Sequence, residues 1–344
     1  MTGGAKVTVA GAGALGLASA MALAQAGCSV SVYDPAPQAN ASAVAAGMIA
    51  PVFEAVLDPE AAPHFRLLLA ARDLWPALAR DAGVTLERAG AIAVGEEAWL
   101  AGVAAALIRL GVHGIDLPRR TAEDLAPGLT NAYATAVLVR EDWRLEPGTA
   151  MAALRTAAEA AGVSFRTRRA LDAGDADWLV VATGADRGLT EVAPELAHLS
   201  PIKGHILRLA GAQHGSMSVR GEGTYVAPGD GGVCVGATME PGVSDPTPDP
   251  AQAERLLARG ARLFPALAAA RPQVFTGIRA ATPDGLPLAG LSEAPGVIVA
   301  AGARRNGWLL APLVARVVAA CVTGGDPGPY APRLDPRRFG RGIG

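Results

Sequence analysis

Residues Val7 to Asp34 read VTVAGAGALGLASAMALAQAGCSVSVYD, and this stretch decides the fold. A β-rich start (Val7, Val9) gives way to glycines at 11, 13 and 16. A helical stripe follows (Leu15, Ala18, Met21, Ala22), and Val30 and Val32 then restart a strand. In this strand-turn-helix context, Gly11 permits a tight turn, Gly13 lets backbone approach a pyrophosphate, and Gly16 allows close helix-to-strand packing. The helix N-terminus adds unpaired N–H groups and partial positive charge, so an anion belongs there. Asp34 ends the second strand where a carboxylate meets a ribose, which disfavours the 2'-phosphate of NADP. The residues thus indicate FAD or NAD without choosing between them.

The same stretch carries no charge from Val7 to Tyr33, follows Lys6, and contains Ala24-Gln25-Ala26, which resembles a cleavage site. The three glycines and the change from strand to helix period argue against a targeting segment or membrane anchor.

Working outward, the 344 residues suggest roughly two domains. With 51% hydrophobic and 18% charged residues the chain can bury a sizeable core. Its 30 basic and 32 acidic residues nearly cancel, leaving no electrostatic footprint for nucleic acid. Cys28, Cys234 and Cys321 are far apart and form no CxxC pair, which fits core thiols in a reducing, cytoplasmic setting. His64, His113, His198, His205 and His214 share no ligand spacing, so no metal site is expected.

A Gly/Ala-rich loop is expected over Ser42 to Pro51, then one amphipathic helix over Phe65 to Leu78. An inserted layer follows at about 90–135. The pattern then gives a helix from Pro147 to Ala161 and strands Val163 to Phe165 and Trp178 to Val181. From Ile202 to Gly236 strands succeed one another without helices, as in an antiparallel sheet. Later come a helix at Ala251 to Leu263, the strand Val274 to Arg279, a hairpin-like Pro283-Asp284-Gly285 and the buried run Val297 to Ala300. A last helix buries Leu310, Leu313, Val314, Val317, Val318 and Cys321, with Pro312 expected in its first turn and a loosely held tail after Thr323.

Seven motifs in order resemble the D-amino-acid oxidase family of flavoenzymes, nearest to its glycine oxidases of thiamine biosynthesis. They are VAGAGALGLA, ASAVAAGMIAP from Ala41, VATGA from Val181, PIKGHILRL from Pro201, YVAPGDGGVCVGATME from Tyr225, GIRAATPDGLPLAG from Gly277, and ARRNGWLLAP from Ala303. The resemblance implies an α/β protein with a Rossmann-like parallel sheet for non-covalent FAD and an inserted antiparallel-sheet substrate domain. The first would comprise 1–85 with 140–200 and 275–344, the second 86–139 with 201–274. It implies oxidative deamination of glycine or another small amino acid by hydride transfer from Cα, with molecular oxygen reduced to hydrogen peroxide. A homo-oligomer stays open.

Carried over residue by residue, the resemblance implies that Ala14 and Leu15 contact the pyrophosphate, Asp34 the adenosine ribose, and Ser42 and Ala43 the region beyond. Gly47, Met48 and Ile49 would lie against the flavin, with Thr183 and Gly184 also at the cofactor. Ala303, Arg304, Arg305, Asn306, Gly307, Trp308 and Leu309 form the segment expected to wrap the ring. Arg279, ending a strand, is the expected bidentate partner of a substrate carboxylate. Arg305 is a second position at substrate or flavin, and Tyr225 lines the pocket. Alone, an Arg304-Arg305 pair would read as solvated charge and Tyr225 as packing. The chain departs from the family pattern at Lys203, His205, Ala280, Ala303 and Trp308. Trp308 either narrows the pocket or packs in the core. Other readings are an FAD dehydrogenase serving a protein acceptor, an NAD dehydrogenase, and a non-catalytic nucleotide-binding module.

Overall fold

The computed structural model describes residues 4–37, 39–212 and 215–340. His214 and the last four residues of the tail lie outside them. The opening motif forms the strand Lys6–Ala10, the helix Ala14–Gln25 and the strand Ser29–Tyr33, the two strands parallel and in register from Lys6 opposite Ser29 to Ala10 opposite Tyr33. Parallel pairing continues to Ser164–Arg166 on one side and, through Trp178–Val181, to Val297–Ala301 on the other. Leu288–Leu291 closes this six-stranded sheet as an antiparallel edge. The helices Ala14–Gln25 and Gly307–Thr323 pack together on it. Both are apolar nearly all round, as buried helices must be.

The second sheet has nine strands and is mostly antiparallel, its one parallel pair joining Ala91–Ala93 to Ser218–Gly221. Its longest strand, Ser200–Ala210, pairs with Gly232–Gly236 on one side and along most of its length with Gln273–Ala281 on the other. The expected division at 275 falls inside Gln273–Ala281, which belongs to this second sheet. A two-stranded ribbon, Met48–Ile49 with Trp143–Arg144, lies apart from both sheets.

Five local expectations are corrected. The Gly/Ala-rich loop contains a helical turn, Ala41–Val44, with Asn40 accepting the Ala43 N–H, and is followed by the helix Pro51–Leu57. The helix expected over Phe65 to Leu78 is two, Phe65–Asp73 and Trp75–Ala82, because Pro76 has no N–H to offer the Arg72 carbonyl. Pro283-Asp284-Gly285 is not a hairpin: there the chain crosses from the second sheet to the first. Pro312 sits in the second turn of its helix, which starts at Gly307. The tail is anchored: Leu334 is fully buried, and the Arg338 guanidinium donates to both Asp284 carboxylate oxygens and to the Leu286 carbonyl.

No helix among the described residues is long and apolar enough to cross a membrane. All three cysteines are free.

Candidate active site

The glycine turn adopts a shape that side chains resist. Gly11 has φ +108°, and a Cβ there would lie 2.3 Å from the Ala182 carbonyl oxygen. At Gly16 the added Cβ would lie 2.1 Å from the Gly11 carbonyl oxygen, so this residue serves helix-to-strand packing and not the cleft. The helix after the turn has Gly13 at its N-cap and no capping side chain; the Ala14 N–H donates to Ser42 Oγ at 3.0 Å. Asp34 braces the turn, its carboxylate accepting the Ala12 and Ala36 N–H groups, each at 2.8 Å.

Two cavities adjoin, the first of them lined by this turn. The first, about 440 Å³, is lined at one end by Gly11, Gly13, Ala14, Leu15 and Asp34. Ser42, Thr183, Gly184, Ala303, Arg304 and Gly307 also line it. The second, about 660 Å³, takes in Gly47, Met48, Tyr225, Arg305, Asn306 and Trp308. Ala41, Gly277 and Arg279 border both. Of the expected site residues, Gly16, Ala43, Ile49 and Leu309 line neither cavity. Ile49 and Leu309 are core, and the Ala43 carbonyl accepts a bond from Arg208.

A cleft walled by a glycine turn and by a helix N-terminus whose N-cap residue has no side chain, bordering a larger chamber, fits an adenine dinucleotide with its diphosphate at the turn. The room left by Gly13, whose added Cβ would meet only Ser42 Oγ at 3.3 Å, is where such a group would approach. Among the described residues no group of His, Cys, Asp or Glu is placed to hold a metal ion.

Arg279 projects from Gln273–Ala281 and lays its guanidinium across Gly204 on the neighbouring strand, where a Cβ would lie 2.1 Å from Nη1. Nη1 donates to the Thr238 carbonyl at 3.2 Å, and no carboxylate pairs with the guanidinium among the described residues. Burial pushes its pKa down. His205 supports this contact from below. Its Nε2 accepts the Asp249 N–H at 2.8 Å, which assigns the proton to Nδ1, facing Glu240 Oε1 at 2.9 Å and Thr238 Oγ1 at 3.1 Å. The departure at His205 is thus structural.

Arg304 and Arg305 are not a solvated pair. The Arg304 side chain is only 11% exposed and is bound by Asp58 and, at 3.1 Å, by Glu60. Arg305 Nε meets Glu54 Oε1 at 3.1 Å, and Asn306 Nδ2 donates to the same oxygen at 3.1 Å. The Glu54 charge raises the Arg305 pKa. Trp308 both narrows the second cavity and belongs to the core: it is 3% exposed, and its Nε1–H donates to the Ser42 carbonyl at 3.0 Å. Burial pushes the Tyr225 hydroxyl pKa up, keeping it a donor.

The sequence reading missed Glu54, Asp58 and Arg220. Glu54 and Asp58 are spaced four apart, a face-sharing signal, but nothing in the sequence ties them to arginines about 250 positions later. Arg220, on Ser218–Gly221, lines the second cavity while only 4% exposed.

Over 244 residues the chain is 30% identical to the bifunctional protein ThiO/ThiG of Synechocystis sp., covering 65% of this chain and 37% of that one. Over 166 residues it is 35% identical to a glycine oxidase of Pseudomonas aeruginosa, 45% of each. The matched stretches thus span less than half the length of these curated relatives. The crystal structure of glycine oxidase from Geobacillus kaustophilus superposes with a TM-score of 0.80 at 27% identity, over 99% of this chain and 100% of that one. Iminodiacetate oxidase from Chelativorans sp. BNC1 shares the fold, with a TM-score of 0.82 at 23% identity over 96% and 98% of the two chains. The sequence profile described as DAO, FAD dependent oxidoreductase, matches residues 6–321, so on sequence, fold and cleft alike the chain belongs to the DAO family of FAD-dependent oxidoreductases.

Proposed function

We propose that the chain is an amino-acid oxidase that deaminates glycine or another small amino acid, with oxygen reduced to hydrogen peroxide. One observation carries the reading: the Arg279 guanidinium stands at the junction of the two cavities, part-buried and without a carboxylate partner among the described residues. A bidentate contact to a substrate carboxylate would satisfy it, a charge-assisted interaction worth roughly 1.5–3 kcal/mol. FAD, when bound, supplies the two-electron acceptor for the Cα hydrogen.

The remaining tasks fall to this chain's side chains. Arg279 fixes the acid end, so Cα is held in one orientation. Tyr225, kept protonated, offers a hydrogen-bond donor. Arg305, kept charged by Glu54, contributes a fixed positive field. Met48 and Trp308 give the second cavity an apolar wall. No side-chain base enters the reading, because Glu54 is held by Arg305 and Asn306.

None of the three cysteines lines either cavity, which supports a non-covalent flavin. Identity with the ThiO/ThiG protein supports a place among the glycine oxidases of thiamine biosynthesis. The purified protein should be yellow and release FAD on denaturation. Anaerobic glycine, sarcosine or small D-amino acids should bleach it, and readmitted air should yield peroxide. A flavin spectrum unchanged by all these amines would reject the reading; bleaching without peroxide would make the protein a dehydrogenase.

A further inference from the structure

The second cavity contains a cation that the reaction above does not use. Arg220 is buried, yet its Nε has no hydrogen-bond partner, and no carboxylate forms an ion pair with its guanidinium among the described residues. Its charge is felt by Asp142 and Glu54, but both are committed elsewhere. Asp142 accepts the Val52 and Phe53 N–H groups at 2.8 and 2.9 Å, and Glu54 holds Arg305 and Asn306. Of the other carboxylates at this cavity, Glu240 is engaged by His205 and Thr238, and Glu222 is exposed at the mouth. A buried guanidinium left in this state is costly unless something arrives to meet it.

Its position says what would arrive. Strand order across this face runs Gln273–Ala281, Ser200–Ala210, Gly232–Gly236, Thr224–Gly229, Ser218–Gly221. Arg279 leans inward from one end of the series to lie over Gly204. Arg220 stands toward the other end, paired with Tyr225, its Cζ 5.6 Å from the centre of that ring. Arg220 is in line with Ile206, two residues along the strand from Gly204, so the two guanidiniums stand about two strand spacings apart across the sheet and two residues apart along it, roughly 12 Å. Each would meet a carboxylate with N···O near about 2.8 Å, leaving between the two acid groups the length of a short chain.

We propose that Arg220 forms a second anion subsite and that the preferred substrate is a small amino acid carrying a second acidic group, on its side chain or its nitrogen. The proposal rests on the oxidase reading for the reaction, but the subsite is testable without turnover.

The holoprotein is titrated calorimetrically with malonate, succinate and glutarate, and with propionate and butyrate as single-acid controls. The best diacid should bind about tenfold to a hundredfold more tightly than the monoacids, the range expected of one buried charge-assisted contact. R220M should remove that advantage, whereas R279M should weaken both classes. Equal affinity of monoacids and diacids for the unaltered protein, or an equal loss of both in R220M, overturns the proposal. If R220M does not fold, R220K takes its place: retention of only part of the diacid advantage supports the subsite, and full retention overturns it. Diacid preference with a flavin that no amine bleaches would sink the oxidase reading and leave the subsite standing. Bleaching by glycine with no diacid preference would do the reverse.

Discussion

Gly204 has no side chain, and that is its contribution to the site. A methyl there would sit 2.1, 2.4 and 2.5 Å from Nη1, Nη2 and Cζ of Arg279. These atoms are the far end of a flexible side chain, so in G204A the guanidinium moves and the sheet does not. The expected outcome is a KM for the amino acid raised about tenfold or more, since a charge-assisted pair is lost or bent. The melting temperature should stay nearly unchanged. A variant with unaltered KM would show that the guanidinium's seat on Gly204 is irrelevant to binding. Arg279 itself was legible in the sequence, because an arginine late in a strand and within a recognisable motif points to an anion, although the strand does not end there and runs on to Ala281. Gly204 lies within another motif but carried no such signal, since its function is to make room for an atom 75 positions away. Arg220 was equally silent: a strand arginine reads as exposed until the neighbouring strands are known to cover it.

At the scale of an element, the helix Gly307–Thr323 shows a local rule answered from far away. Pro312 removes the N–H that the Trp308 carbonyl would accept, inside a helix where water does not reach. The missing donor is Trp75 Nε1–H, 2.9 Å from that oxygen and 233 residues away in sequence. W75F should therefore cost about 1–3 kcal/mol for the unsatisfied carbonyl, beyond the cavity it leaves. The diagnostic measurement is a double-mutant cycle by chemical denaturation. Paired with P312A, which restores a helical N–H, W75F should cost less by that same 1–3 kcal/mol. Strict additivity would refute the link. The helix was visible in the three- and four-residue spacing of its apolar positions; its start at the N-cap Asn306 was not, although asparagine is a capping residue type, and in the fold that side chain turns to Glu54 and caps nothing. The break between Phe65–Asp73 and Trp75–Ala82 follows from Pro76, a stop signal readable in sequence yet outweighed there by apolar periodicity.

For the whole molecule, both sheets were readable as classes from glycine spacing and strand succession. Their junction was not, because the contacts that form it join residues with no local relation. Asp142 is one such contact. It follows the second-sheet strand Thr135–Val139 and binds the N-terminus of the helix Pro51–Leu57; Glu54 within that helix and Asp58 just after it hold the arginines of the site. Burial pushes its carboxyl up to about 6, against the opposing pull of Arg220 and the two backbone N–H bonds. A folded-state pKa above the ordinary 3.8 means that the folded protein binds the proton more tightly than the unfolded chain. This stabilising contribution is complete below the unfolded value and is lost as pH rises through about 6. Relative to D142N, which carries no titrating group there, the unaltered protein should thus lose stability between about pH 4 and pH 6 and run parallel to it above. Because Arg220 pulls this pKa down, R220M should shift the upper end of that window to higher pH. Urea denaturation across this range, on D142N, R220M and the unaltered protein, checks both expectations. A stability difference independent of pH would mean that the carboxylate at the junction is ionised throughout, and that its two backbone bonds outweigh its burial.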